Sequence, residues 1–187
     1  GSQSYVGTNS GVYIWGAQVE ALPFATSYIR TEGAAVSRSA DSLSLPSAGN
    51  FNASEYSVLV EGNASGTSQV NTFASVGDGT NANNIQLTTY TSKAFGYFAV
   101  SGSVVQGFAG TGTITNDKVK GALTYTFNDL KGYYNEELFS NDTSFLPLQN
   151  TTVILIGSVN NTAYLSGHIS KFATYDKALT AQEITLL

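Results

Sequence analysis

Nine strand-length apolar runs, most of them separated by Gly, Asn, Asp or Ser, constrain this chain more than any other feature. They read GVYIWGAQVE, DSLSL, EYSVLVEG, QVNTFASVG, NIQLTTY, AFGYFAVSG, VKGALTYTFND, TTVILIGSV and AYLSGHISKFATY. Many short β-prone segments with such punctuation predict a sandwich or barrel. Alternation is clearest in Tyr56-Val58-Val60 and in Leu123-Tyr125-Phe127, with Ser, Thr or Glu on the opposite face. That pattern belongs to antiparallel sheets with one solvated side. Only LTAQEITLL, at the end of the chain, reads as helix. Thr180 is its predicted N-cap, Glu183 completes a capping box, and Ile184 and Leu187 share a face. The predicted fold is all-β, an antiparallel sandwich closed by a short C-terminal helix.

A chain of 187 residues holds one sizeable core and is short for two domains. It has no Cys, which excludes disulfides, thiolate metal sites and a Cys nucleophile, and its single His excludes imidazole clusters. The net charge of −5, with eight scattered Lys and Arg, argues against nucleic acid. No apolar run approaches the roughly 18 residues of a spanning helix, so membrane insertion is not expected. Five Asn-x-Ser/Thr triplets, at Asn52, Asn63, Asn141, Asn150 and Asn160, follow from the abundance of Asn, Ser and Thr. There is no Met, and Gly1-Ser2 has the look of a cloning remnant, so the chain is expected to be a fragment. Small residues dominate TEGAAVSRSAD, at 31 to 41, which is the predicted linker. The expected division is an N-terminal segment 1–40 and a domain 41–187.

The segment LSGHISKFATYDKALTAQEITLL resembles the closing motif of concanavalin A-like, laminin-G-type jelly rolls. Gly167, Ile169, Tyr175, Ala178, Leu179, Thr180, Glu183, Ile184 and Leu187 carry the likeness. Gly167 would permit close strand approach, and Tyr175 with Leu179 would plug the edge of the sandwich. TFASVGDGTNANNIQL resembles the family's hairpin around a Gly-Asp-Gly turn. FNDLKGYYNEELF resembles its pair of central strands, but Asn135-Glu136 stands where Asn-Gly is usual, which predicts a looser hairpin. The resemblance covers about 41 to 187 and implies a jelly-roll sandwich of the lectin and glucanase type.

The opening stretch YIWGAQVEALPFATSYIRTEG resembles a segment of bacteriophage tail fibres, tailspikes and related virion proteins, where it ends one β-sandwich and leads into the next. Residues 3 to 30 are then the exit strand of an upstream module. Tyr13, Trp15 and Phe24 become candidate interface residues, with a core role for Trp15 as the alternative. The resemblance implies a virion location, other virion proteins as partners and a homotrimer. It leaves open an adhesin for a host-surface glycan, a purely structural spacer or trimerisation domain, and an enzyme module that degrades glycans.

Glycoside hydrolysis needs two carboxylates facing one bond. The catalytic relatives place acidic residues at i, i+2 and i+4 on one strand, and no such run occurs here. Glu136 and Glu137 are adjacent, so on a strand they point to opposite faces. His168 has no Gly-x-Ser-x-Gly elbow to serve. No catalytic residues are expected.

Because laminin-G domains bind calcium through loop oxygens, the resemblance makes Ca2+ the best cofactor candidate. Asp78, Asn81, Asn83 and Asn84 supply oxygens near one turn, and Asn141 with Asp142 near another. Neither matches a defined calcium loop, and Gly77-Asp78-Gly79 is also explained as turn chemistry. Sugar recognition calls for exposed aromatic faces beside amides and hydroxyls. Most aromatics of AFGYFAVSG and FNDLKGYYNEELF should fill the core. Tyr97, Tyr133 and Tyr134 are expected to be exposed, because a phenol favours a wet end. With Asn160 and Asn161 they are the candidate ligand-binding residues.

Overall fold

The computed structural model describes residues 11, 13–20, 27–37, 40–64, 70–90, 94–102, 104–113, 118–160 and 162–187, with backbone alone at 94, 104–109 and 111–113. The chain divides into two units, Gly1–Ser39 and Ala40–Leu187.

In the first unit, the strand expected over 11–20 does not form among the described residues. Gly16 sits at φ +69°, a left-handed conformation that breaks a pleated run. The Gln18 carboxamide oxygen instead accepts the Ile29 backbone N–H at 2.7 Å, and Trp15 packs on Tyr28 with ring centroids 5.1 Å apart. A hydrogen-bonded loop stands in place of the strand, and among the described residues no ladder partner satisfies its backbone.

The second unit is a sandwich of two antiparallel sheets. Its strands are β1 (Leu43–Pro46), β2 (Tyr56–Ala64), β3 (Asn71–Gly77), β4 (Asn84–Thr89), β5 (Ala94–Ser101), β6 (Val104–Thr113), β7 (Lys118–Thr126), β8 (Asn128–Tyr134), β9 (Glu137–Phe145), β10 (Val153–Ile156) and β11 (Gly167–Tyr175), followed by α1 (Ala181–Thr185). One sheet has the order β1-β10-β3-β4-β5-β6 and the other β11-β2-β7-β8-β9. β6 was not anticipated, because Gly107, Gly110 and Gly112 interrupt its apolar alternation.

Between the sheets lie Tyr56, Val58, Val60, Phe73, Val76, Ile85, Leu87, Phe95, Tyr97, Leu123, Tyr125, Leu130, Phe145 and Ile154. Tyr56-Val58-Val60 and Leu123-Tyr125 point inward as expected. Phe127 does not, for it stands in the β7–β8 turn and is 73% exposed. Part of the other face of the five-stranded sheet is covered as well. There Leu59, Ala122 and Tyr133 are buried beneath Leu179 and Ile184, with Ala173 and Tyr175 alongside. Ser57 fastens this cover, donating to Lys177 O and accepting from Leu179 N, both at 2.8 Å.

The capping box forms as predicted. Glu183 N–H donates to Thr180 Oγ1 at 3.2 Å, and Thr180 N–H to Glu183 Oε2 at 2.8 Å. Ile184 is buried, whereas Leu187, expected on the same face, is exposed. The hydrogen bond from Lys177, then the Thr180 N–H and hydroxyl, hold the Glu183 carboxyl down at about 2. A depressed carboxyl stabilises the folded chain above its unfolded value, and that contribution fades as pH falls from about 4.5 towards 2. Carbon-13 NMR should show Glu183 titrating near 2, and Thr180→Ala should move the midpoint up. A parent midpoint near 4.5 would contradict this geometry.

β8 and β9 form the expected hairpin, with two corrections. β9 is the edge of its sheet, so the pair is not central. The turn is also tight, since Tyr134 pairs with Glu137 and both Asn135 and Glu136 take positive φ, +47° and +73°. A left-handed Glu is costly, and Lys120 of β7 holds it in place. Lys120 O accepts the Asn135 N–H at 2.8 Å, and its ammonium lies 2.8 Å from Glu136 Oε1.

Candidate functional site

Strand register decides which side chains can meet a ligand. On β5, Phe95, Tyr97 and Ala99 belong to the core, so Phe98 points to the other face of the six-stranded sheet. Gln86 of β4 lies directly opposite Phe98, and Ser75 of β3 directly opposite Gln86. Tyr90 continues the β4 alternation onto this outer face, and its hydroxyl donates to Tyr97 O at 3.0 Å. Burial, reinforced by the neighbouring Tyr97, pushes the Tyr90 phenol well above its ordinary value, so it remains a donor. Phe98, Gln86 and Tyr90 are all half-buried.

A short tongue between β10 and β11 reaches the same face. Val159 and Thr162 exchange backbone hydrogen bonds at 3.0 and 2.7 Å, which makes a tight turn with Asn160 at φ +48°. Ser75 Oγ donates to Ser158 O at 3.0 Å and pins the tongue to the outer face. At its tip the Asn160 amide donates to Asn81 Oδ1 in the β3–β4 turn. Asn84 donates to Thr80 O at 3.0 Å and accepts from Gln86 Nε2 at 2.7 Å. An aromatic ring, a fixed phenol and a row of amides thus share one surface.

This set differs from the expected one. Tyr97 is 2% exposed and Tyr133 is 5% exposed, so neither presents a face to solvent. Tyr97 shares the inward parity of Phe95, and its hydroxyl lies 3.3 Å from Ser140 Oγ on the opposite sheet. Tyr133 does point outward, but Leu179 and Ile184 cover it. Tyr134 packs against the core, its ring 5.6 Å from Phe95. Asn160 stands at the described face, and Asn161 lies outside the described residues. Phe98, Gln86 and Tyr90 were missed, although Phe98 could have been found by giving Phe95 and Tyr97 the same inward parity.

The calcium candidates do not present converging free oxygens. Asp78 Oδ1 accepts the Thr80 N–H and hydroxyl at 2.8 and 2.6 Å, which is the turn chemistry of Gly77-Asp78-Gly79. Asn81 Oδ1 is taken by Asn160, and Asn83 Oδ1 by the Gln149 N–H at 3.0 Å. Asn83 and Asn84 are themselves buried. At the second turn, Asp142 Oδ1 accepts Ser144 N–H and hydroxyl, both at 2.9 Å. Among the described residues, no three His, Cys, Asp or Glu gather as metal ligands. The donor set does not fit the ion.

Of the interface candidates, Tyr13 and Trp15 are 103% and 84% exposed, and Phe24 lies outside the described residues. His168 is exposed on β11. Among the described residues, no helix is long and apolar enough to cross a membrane.

Charge divides sharply between the sheets. None of the six strands β1, β3, β4, β5, β6 and β10 contains Asp, Glu, Lys, Arg or His. Each strand of the other sheet holds at least one charged residue: Glu61, Lys118 and Lys120, Asp129 and Lys131, Glu137 and Asp142, and Lys171.

No protein-family model matches this sequence, and no curated protein matches it. Solved structures do match in shape. The carbohydrate-binding module (CBM40) of the Ruminococcus gnavus IT-sialidase, bound to α2,3-sialyllactose, superposes with a TM-score of 0.60 at 14% identity, over 71% of this chain and 82% of its own. The fold is a lectin-type jelly roll. The SAP-like pentraxin of Limulus polyphemus matches at TM-score 0.56 and 10% identity, over 71% of this chain and 68% of its own. The Trypanosoma rangeli sialidase matches at 0.57 and 13%, over 71% of this chain but 22% of its own.

Proposed function

We propose that this chain is a non-catalytic glycan-binding module of a virion appendage, a phage tail fibre or tailspike, that adheres to a host-surface polysaccharide. The observation that carries the binding role is the outer face of the six-stranded sheet, where Phe98 stands opposite Gln86 beside Tyr90 and the Asn81–Asn160 pair. A sugar ring offers an apolar face to Phe98, while hydroxyls at its rim meet amides that both donate and accept. The CBM40 module with sialyllactose shows that a module of this fold holds a glycan, which favours the reading. The virion setting rests on the likeness of YIWGAQVEALPFATSYIRTEG to segments of appendage proteins.

A glycan array tests the module. Binding to at least one host-type glycan is expected, and Phe98→Ala should weaken it about tenfold, the equivalent of ~1.4 kcal/mol. Circular dichroism would show the variant folded. No binding across the array, or undiminished binding by the variant, would overturn the reading. New reducing ends on incubation with polysaccharide would overturn the non-catalytic part.

The appendage reading carries a homotrimer with it. Tyr13 and Trp15 are almost wholly exposed in a single chain, and apolar surface of that kind marks interfaces. Light scattering should give about three times the chain's 19.6 kDa, and a mass near 20 kDa would sink the trimer.

A further inference from the structure

The segregation of charge narrows the ligand class, given that the outer face binds glycan as argued above. We infer that this face takes an uncharged saccharide, a neutral hexose or N-acetylhexosamine chain, and discriminates against sialylated and uronate-containing glycans. Three observations converge on this.

The six strands that build the face carry no Asp, Glu, Lys, Arg or His. Among the described residues of Ala40–Leu187, every lysine belongs to the other sheet or to the segment after it. Four of these are already paired: Lys120 with Glu136, Lys131 with Asp129, Lys171 with Glu61, and Lys177 with Glu183. No arginine lies in this unit at all. The charged group nearest in the chain to the Asn81–Asn160 pair is the carboxylate of Asp78, three residues before Asn81.

A sugar carboxylate brought to this face would lose water and gain no cation from the described residues of the six strands, a cost that hydroxyls do not incur. Asp78 would add like-charge repulsion. The amides of Gln86, Asn81 and Asn160 suit hydroxyls and acetamides, which donate and accept in turn, while buried Asn84 holds Gln86 in place. The face therefore differs in ligand chemistry from the CBM40 module that holds sialyllactose.

The test uses the full chain on paired glycans that share one backbone, with and without a terminal sialic acid or an oxidised C6 carboxylate. Measurements are made at low and high salt, with Lys93→Ala in parallel because Lys93, between β4 and β5 in the chain, lies outside the described residues. Neutral members should bind at least tenfold tighter than their acidic counterparts, and their affinity should move less than twofold with salt. Gln86→Ala should weaken neutral binding about tenfold. Equal affinity for both members would overturn the inference. So would tighter, salt-sensitive binding of the acidic member, and loss of that binding in the Lys93→Ala variant would locate the cation. Either result leaves glycan binding itself standing, whereas failure of every pair to bind removes both readings.

Discussion

Gly121→Ala lowers the stability of the sandwich by about 3 kcal/mol, the upper range for overpacking a rigid core. Gly121 lies in β7, in register with Val60 on one side and Tyr134 on the other. A methyl group there would stand 2.1 Å from the Phe95 ring. Phe95 comes from the opposite sheet and is fully buried. It cannot retreat, because Phe73, Tyr134 and Phe139 surround it with ring centroids at 6.2, 5.6 and 6.2 Å. The missing side chain of Gly121 is thus the socket that seats Phe95 and joins the two sheets. Urea unfolding should show a midpoint lower by roughly 1.5 M, taking a slope of about 2 kcal/mol per molar. In the double variant with Phe95→Leu the two losses should be less than additive, since the smaller side chain makes room. A loss under 1 kcal/mol for Gly121→Ala alone, or strict additivity, would show that the ring is not locked against the glycine.

Gly167→Ala should cost about 2 kcal/mol and loosen the start of β11. A methyl group there would lie 2.0 Å from Asn63 O and 3.0 Å from Ala64 Cα, and both obstacles are backbone. Gly62, one strand over, is placed alike, its added carbon falling 2.2 Å from His168 O. The two glycines let β2 and β11 come together just before the register shift between Ile169 and Lys171. Beyond that shift, Phe172 pairs with Val60 and Tyr175 with Ser57, so the far end should stay paired. Hydrogen exchange separates the ends. Amides of 167–169 should exchange at least tenfold faster in the variant, and those of 172–175 should change little. Parent-like protection of His168 N–H would refute the close approach.

How much was legible follows from the range of the forces involved. The capping box needs only residues three apart, so Thr180 and Glu183 announce it directly. Gly-Asp-Gly at 77–79 announces its turn the same way, through Asp78 accepting from Thr80. Period-two alternation put Tyr56, Val58 and Val60 in the core. Where a local rule was outvoted, a distant segment did it. Asn135-Glu136 looked too poor for a tight turn, yet Lys120, from the adjacent strand β7, holds both residues left-handed.

The candidate site needed more than parity. Tyr97 could have been assigned inward from its neighbours, but nothing local distinguishes Tyr133 from a surface phenol. It points away from the main core and is buried only because Leu179 and Ile184, some fifty residues later, fold across it. The separation of charge is hidden for the same reason. Charged and uncharged strands interleave along the chain, β2 in one sheet and β3 in the other, and only pairing sorts them. The sequence by itself determined most strands of the sandwich, the Gly77–Gly79 turn and the helix cap, because alternation, turn chemistry and capping act over a few residues. The tertiary structure alone decided which strands share a sheet and which of its faces stays uncovered, because pairing and burial join residues far apart in the chain.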